Sequence, residues 1–200
     1  MTNSRRVDRI TQTANNRLKR VSIAIEAVHH RHNISAILRT ADSLGIATVH
    51  LITGDFRAAR GAARGAERWL TIHKHPSTLH AISQIHGEGR DIYVADIADD
   101  ALPPTAVPVN RPLCLWFGAE HAGVSPEAIA ASKGTVSLPM HGMAQSLNVS
   151  VAAALISSTV SERARALGPD ALLSKTEAAA QVARWLERED LLVTQIKARG

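Results

Sequence analysis

Three short segments combine glycine with small polar side chains, and they hold most of the residues suited to binding a ligand or assisting a reaction. They are His32–Thr40 (HNISAILRT), Phe117–Ser125 (FGAEHAGVS) and Leu138–Ser150 (LPMHGMAQSLNVS). Gly118, Gly123 and Gly142 let main chain approach a ligand closely after a strand, although each taken alone is a turn glycine. Arg39 carries a guanidinium that stays protonated in proteins, so it can grip a phosphate or steady a developing oxyanion but cannot take up a proton. Taken alone it is a solvated charge on a helix. Asn33 stands where a helix N-cap is expected, and Ser146 and Asn148 begin a long helix rich in small and apolar residues, where capping explains Ser146 equally well. The coincidence of these residues in three segments, each at the end of an expected element, is what favours a functional reading.

Several chemistries lack their signatures. Neither G-x-G-x-x-G nor G-x-x-x-x-G-K-[ST] occurs, and no G-x-S-x-G elbow marks a nucleophilic serine. The ten histidines include the clusters His29, His30, His32 and His73, His75, but none has the H-E-x-x-H spacing, so no catalytic metal is expected. The single cysteine, Cys114, excludes a disulfide framework and fits a reducing compartment, which favours the cytoplasm. The polar, basic start resembles no secretory signal, and the longest apolar run, Val149 to Ile156, is interrupted by Ser150 and too short to span a bilayer. A membrane is therefore not an expected partner.

The elements that must position these residues alternate. Val21–Val28 is an expected strand, followed by a helix from Asn33 to Leu44 that Gly45 ends, and then a strand over Ile46–Thr53. A helix over Ser77–His86 and strands at Asp91–Ala98 and Leu113–Phe117 come next. A helix from Pro126, a strand at Val136–Met140, and helices over Gln145–Leu167 and Lys175–Lys197 complete the order. Strands separated by helices imply a parallel α/β sheet. At 200 residues and 45% hydrophobic, the chain is long enough for one substantial core.

Charge is concentrated at the start. Residues 1–20 carry Arg5, Arg6, Arg9, Arg17, Lys19 and Arg20 against Asp8, a net charge equal to the +5 of the whole chain. A basic arm on a neutral body implies a polyanion, and nucleic acid rather than membrane because the arm lacks a strong apolar face. Arg57, Arg60, Arg64 and Arg68 form a second basic stripe, at i, i+4 spacing from Arg60 onward. Only six aromatic residues are present, which argues against domains that stack bases on aromatic platforms.

Together the three segments resemble, in order, the signature motifs of the SPOUT-class RNA 2′-O-ribose methyltransferases. The likeness runs from about Val21 to Leu167 and is closest to the tRNA guanosine-2′-O-methyltransferase branch called TrmH. Gln145, within the string Met143–Ala152, is what points to the tRNA branch, since ribosomal-RNA relatives commonly have glutamate there.

The resemblance implies an α/β fold of SPOUT type, a parallel sheet flanked by helices with a deep C-terminal trefoil knot, an exception to the rule against threaded chains. It implies S-adenosylmethionine as cofactor, held by Ala95, Asp96, Gly118, Ala119, Glu120, Leu138, Met140, Gly142, Ser146 and Leu147. It assigns reaction roles to Arg39, Asn33, Glu120, Ser146 and Asn148, with tRNA as substrate and position 18 of the D-loop as target. A homodimer formed through the knot region is also implied.

The division expected from this is a basic helical arm (1–20), the methyltransferase domain (21–167) and a helical extension (168–200). The RNA contacts expected are Arg5, Arg6, Arg9, Arg17, Lys19, Arg20, Arg60 and Arg64. Two alternatives stay open: a member of the same family acting on ribosomal RNA, and a non-catalytic basic RNA-binding protein with the knotted fold.

Overall fold

Strands β1 (Leu18–Glu26), β2 (Ile46–Ile52), β3 (Thr71–Lys74), β4 (Asp91–Ala95), β5 (Leu113–Phe117) and β6 (Gly134–Val136) pair in the order β3-β2-β1-β5-β4-β6, every pairing parallel. This is a computed structural model, and it describes residues 4–28, 30–52, 65–119 and 122–197. Parallel strands covered on both faces must be apolar on both, and β5 shows how the alternation is shared out. Leu113, Leu115 and Phe117 join Ile23, Ile25 and Val49 on one face, beneath helices α2 (Arg31–Ser43) and α5 (Val149–Arg165). Cys114 and Trp116 join Ala24, Ile92 and Val94 on the other, beneath α3 (Thr78–Gly87) and α4 (Pro126–Ala131). Burial holds the Cys114 thiol up at about 12, so this residue is packing and not a nucleophile.

Several boundaries differ from expectation, each for a local reason. Strand β1 begins at Leu18 instead of Val21 because the Leu18 amide donates to the Gly45 carbonyl at 2.7 Å and Leu18 pairs with Ile46. It stops at Glu26, where Ala27 turns to a φ of 50°. Strand β3, four half-exposed residues with little apolar signal, was not expected at all. Strands β4 and β6 are shorter than anticipated: after Ala95 the Asp96 carboxylate accepts from the Ile97 amide, and β6 begins at Gly134 and ends at Val136. Between β4 and β5 a long segment runs without a regular element. Its Leu102 adds a parallel bridge to Val136, and Arg163 of α5 donates to the carbonyls of Pro104 and Val107.

The basic arm is largely a structural element. Helix α1 (Ser4–Asn15) does have an apolar seam, and through Ile10 and Ala14 it packs on Ala178 and Trp185 of α6 (Lys175–Lys197). Arg17, expected on RNA, is instead buried: it pairs with Asp42, donates to the Ile46 carbonyl at 3.2 Å, and lies 5.2 Å from the centre of the Trp185 ring. A guanidinium in that position is held by charge and hydrogen bonds that its removal would leave unmet. Lys19 and Arg20 belong to β1, Lys19 pairing with Glu177 and Arg20 donating to the Asn110 carbonyl. Arg6 pairs with Glu189 and lies over Trp69. Arg9 and Arg68 are exposed, whereas Arg57, Arg60 and Arg64 lie outside the described residues.

A row of imidazoles closes the β2–β3 edge. His50 is fully buried, its Nδ1 3.0 Å from His75 Nε2, while His75 Nδ1 is 3.1 Å from His80 Nδ1 and His73 stacks on His50. Burial pulls His50 down to about 3, with Glu88 opposing and His73, His75 and Arg90 adding to the fall; burial and His80 lower His75 likewise. His50 is therefore neutral in the folded state and His75 is held toward the neutral form, while the unfolded chain protonates both near pH 6.5. Their contribution is complete above that value and is lost as pH falls toward the folded-state values, at about 1.4 kcal/mol per pH unit for each excess proton. Thermal unfolding followed between pH 7 and pH 4 should show the melting temperature falling with acid. In His50→Leu the dependence should flatten by close to one proton, and an unchanged slope would remove His50 from this account.

Candidate active site

The carboxyl ends of β4, β5 and β6 open on one cleft. Its volume is about 600 Å³, and it is lined by Ala95, Phe117 and Val136, the last residues of those strands, and by the chain that follows each. Ligands of parallel α/β sheets bind at this end, where turns can be varied without disturbing the strands. Of the residues expected to hold a cofactor, Ala95, Asp96, Gly118, Ala119, Leu138, Met140, Ser146 and Leu147 all line it. Gly142 does not line it, and Glu120 lies outside the described residues. Ile97, Ser137, Val149, Ala152 and Ile156 also line the cleft and were not singled out from sequence, since ordinary apolar and small residues carry no signal of their own.

The glycine turn after β5 is folded on itself. Ala119 and Gly123 exchange two main-chain hydrogen bonds of 3.0 Å, and a side chain on Gly118 would put its Cβ 2.1 Å from the Gly123 carbonyl oxygen. Gly123 has a φ of 67°, which a side chain would strain. Glycine is thus required at both positions by geometry within the turn.

Two motif residues far apart in sequence meet beside the cleft. Asn148 Nδ2 donates to Asn33 Oδ1 at 3.2 Å, and Asn148 Oδ1 accepts from the amide and hydroxyl of Ser150. Asn148 is therefore the N-cap of α5, which starts at Val149 and not at Gln145; Ser146 precedes it and faces the cleft. The cap of α2 is His30, so Asn33 lies within the first helical turn and its carbonyl oxygen is turned to Asn148.

Arg39 is not brought to this cleft. Six residues after Asn33, it lies about 240° further round α2. It lines a separate groove with His32, Thr40, Leu155 and Ser158. Helix α5 stands between the two cavities, with Val149, Ala152 and Ile156 toward the cleft and Ala154, Leu155 and Ser158 toward the groove.

A residue absent from sequence reasoning, Glu26, ends β1 as a buried carboxylate. It accepts from the Thr78 hydroxyl, from Trp116 Nε1 at 2.9 Å and from the Ser125 amide at 3.1 Å. Burial pushes its carboxyl up, but these three donors outweigh burial and hold it below the usual value. Glutamate at the end of an apolar strand was the available signal.

A cleft of this size at the strand ends, closed by a glycine turn and lined mainly by main chain and apolar side chains, defines an α/β protein with a site for a small organic cofactor. A model of the SpoU rRNA Methylase family matches residues 20–158. The chain is 36% identical over 156 residues to the tRNA (guanosine(18)-2'-O)-methyltransferase of Escherichia coli (strain K12), covering 77% of this chain and 68% of that protein. To the protein of the same name from Thermus thermophilus it is 38% identical over 150 residues, 74% of this chain and 77% of the other. Among solved structures, the A. aeolicus TrmH/SpoU tRNA modifying enzyme superposes with a TM-score of 0.84 at 26% identity, covering 92% of this chain and 96% of that one. The chain belongs to the SpoU rRNA methylase family.

Among the described residues no group of three or more His, Cys, Asp or Glu side chains is placed to share a metal ion, and no helix is long and apolar enough to cross a membrane.

The double role of Asn148 is separable. Asn148→Ala should cost about 1 kcal/mol of stability, the ordinary loss for an N-cap. Asn148→Asp should recover most of it, because a carboxylate caps the helix, but it cannot donate to Asn33. Melting curves of the three proteins check this, and an alanine variant as stable as the parent would show that the cap is idle.

Proposed function

We propose that this protein is an S-adenosylmethionine-dependent RNA ribose 2′-O-methyltransferase, with tRNA as substrate and 2′-O-methylguanosine at position 18 of the D-loop as product. The observation that carries the reading is the convergence of separate segments on one cleft, with Asn33 and Asn148 joined beside it. Family membership and the names of the E. coli and T. thermophilus relatives support the choice of tRNA and of guanosine 18.

The cleft fits the donor. Its walls are apolar at Phe117, Leu138, Met140 and Ile156, its turn offers main chain at Gly118 and Gly123, and among the described residues Asp96 is the one ionisable residue lining it. When bound, S-adenosylmethionine supplies a methyl group on a sulfonium, which leaves as a neutral thioether without help from a metal. The chain must align the ribose and steady the oxygen that attacks. Arg39, which lies outside the cleft of its own chain, grips an RNA phosphate and stabilises the developing alkoxide at the cleft of a second copy, while the proton departs to that phosphate or to water. Asn33 and Asn148 hold the ribose, and Ser146 and Glu120 fix the surrounding turns.

The wider architecture follows from the same reading. The chain after β6 is threaded as a deep trefoil knot within the 96–112 segment; the Leu102 bridge to Val136 and the hold of Arg163 on Pro104 and Val107 support this. Leu147, Val151 and Leu155, each more than a third exposed, form the face through which two copies pair, and the α2–α5 groove with Arg39 opens on that face. A dimer would let one subunit present RNA to the cleft of the other. Residues 21–167 form the catalytic unit with 168–200 as a helical extension, while the 1–20 arm holds tRNA through Arg5 and Arg9. Arg6, Lys19 and Arg20 join them where a phosphate replaces their present partners, and the same contact is assigned to Arg60 and Arg64. The enzyme works in the cytoplasm.

Incubation of an unmodified tRNA transcript with labelled S-adenosylmethionine and a chelator, followed by nuclease mapping, should place the label at guanosine 18. Label elsewhere in tRNA, or in ribosomal RNA alone, would overturn the assignment of the nucleotide or of the branch. Arg39→Ala should bind S-adenosylmethionine as the parent does and lose at least about a hundredfold in single-turnover rate, the scale of one charge-stabilising donor. A near-normal rate would sink the role given to Arg39.

A further inference from the structure

The turn that walls the cleft is held at both ends by a single oxygen atom. Glu26 Oε2 accepts from Trp116 Nε1 at 2.9 Å and from the Ser125 amide at 3.1 Å. Trp116 immediately precedes the lining residues Phe117, Gly118 and Ala119, and Ser125 comes two residues after the lining residue Gly123. The other carboxylate oxygen accepts from Thr78, the first residue of α3. Ser125 in turn caps α4, its hydroxyl accepting from the Ala128 amide. The neck of the turn is thus tied to the end of β1, one residue before the strained Ala27. Two main-chain hydrogen bonds between Ala119 and Gly123 close the turn above that neck.

We propose that Glu26 is a positioning residue: its carboxylate clamps the two ends of the glycine turn and so sets the shape of the methyl-donor cleft. It does not line the cleft and takes no part in methyl transfer. The inference rests on the methyltransferase reading for the identity of the ligand, but the clamp itself is a property of the ligand-free chain. What the site requires is an acceptor in a fixed place. An amide at this position can meet the same three partners, its oxygen accepting from Trp116 and Ser125 and its NH2 donating to the Thr78 hydroxyl, which is able to turn. Removal of the side chain leaves the buried Trp116 donor and the part-buried Ser125 amide unmet and frees both ends of the turn.

The test uses the full chain and three variants, Glu26→Ala, Glu26→Gln and Trp116→Phe. Amide hydrogen exchange resolved by NMR on the ligand-free proteins reports the turn directly. In Glu26→Ala the amides of Gly118, Ala119, Gly123 and Ser125 should exchange at least about tenfold faster, relative to those of Ile23 and Val49 in the sheet. Glu26→Gln should stay close to the parent. Trp116→Phe, which removes one donor and keeps the other, should fall between and serves if the alanine variant does not fold.

With S-adenosylmethionine as titrant, the alanine variant should show a KM at least about tenfold higher with kcat within about threefold, the pattern of lost ground-state binding. Glutamine should rescue it. Unchanged exchange in both Glu26→Ala and Trp116→Phe, a glutamine variant as impaired as alanine, or a loosened turn with unchanged affinity would each overturn the proposal. Should the parent fail to bind S-adenosylmethionine while exchange behaves as described, the clamp stands and the methyltransferase reading falls.

Discussion

Strand β5 pairs with β1 on one side and β4 on the other, and all five of its residues are buried. A one-residue slip of a strand in that position exchanges the residues given to its two faces, which would move Trp116 into the space of Leu115 and Phe117. The register that results places Phe117 opposite Ile25 and Ala95, so the glycine turn leaves the sheet level with the ends of its neighbours. The cleft exists because three strands end together there. The helices cover the faces and leave this edge open.

Buried charge is organised around the ends of β1. At its start Arg17 joins α2, through Asp42, to α6, through Trp185. At its end Glu26 joins the glycine turn to α3. Each is a full charge with little solvent, held by several hydrogen bonds, and each links segments that apolar packing alone would allow to slide. The cations of the arm therefore divide into those that build the molecule and those left for a partner, a division that net charge conceals. Arg17 and Arg9 are eight residues apart and of the same type, yet one is interior and the other open to solvent.

Much of this was legible in the sequence. The alternation of short β-branched runs with helical spacing implied a parallel sheet, and the glycine-rich motifs after Phe117 and Leu138 fell on the cleft. The helix start at Pro126 and the glycine at 45, with a φ of 74°, were punctuated by residues whose backbone preferences are strong. What escaped notice lacked a local signal. Strand β3 is set by pairing with β2, since Thr71–Lys74 is polar and short. The burial of Arg17 depends on Asp42 and Trp185, which are remote in sequence. Glu26 differs from an ordinary strand-end residue only through three donors brought from three other elements.

Cys114, the second residue of β5, is fully enclosed, with its thiol held up at about 12. Only the thiolate reacts readily, so alkylating and oxidising reagents meet it at an appreciable rate only when the central strand has opened. The molecule thus carries a single internal clock for whole-sheet opening. Because no second thiol exists in the chain, the rate at which modification proceeds reads that event alone, without correction for fraying of helices or movement of surface turns.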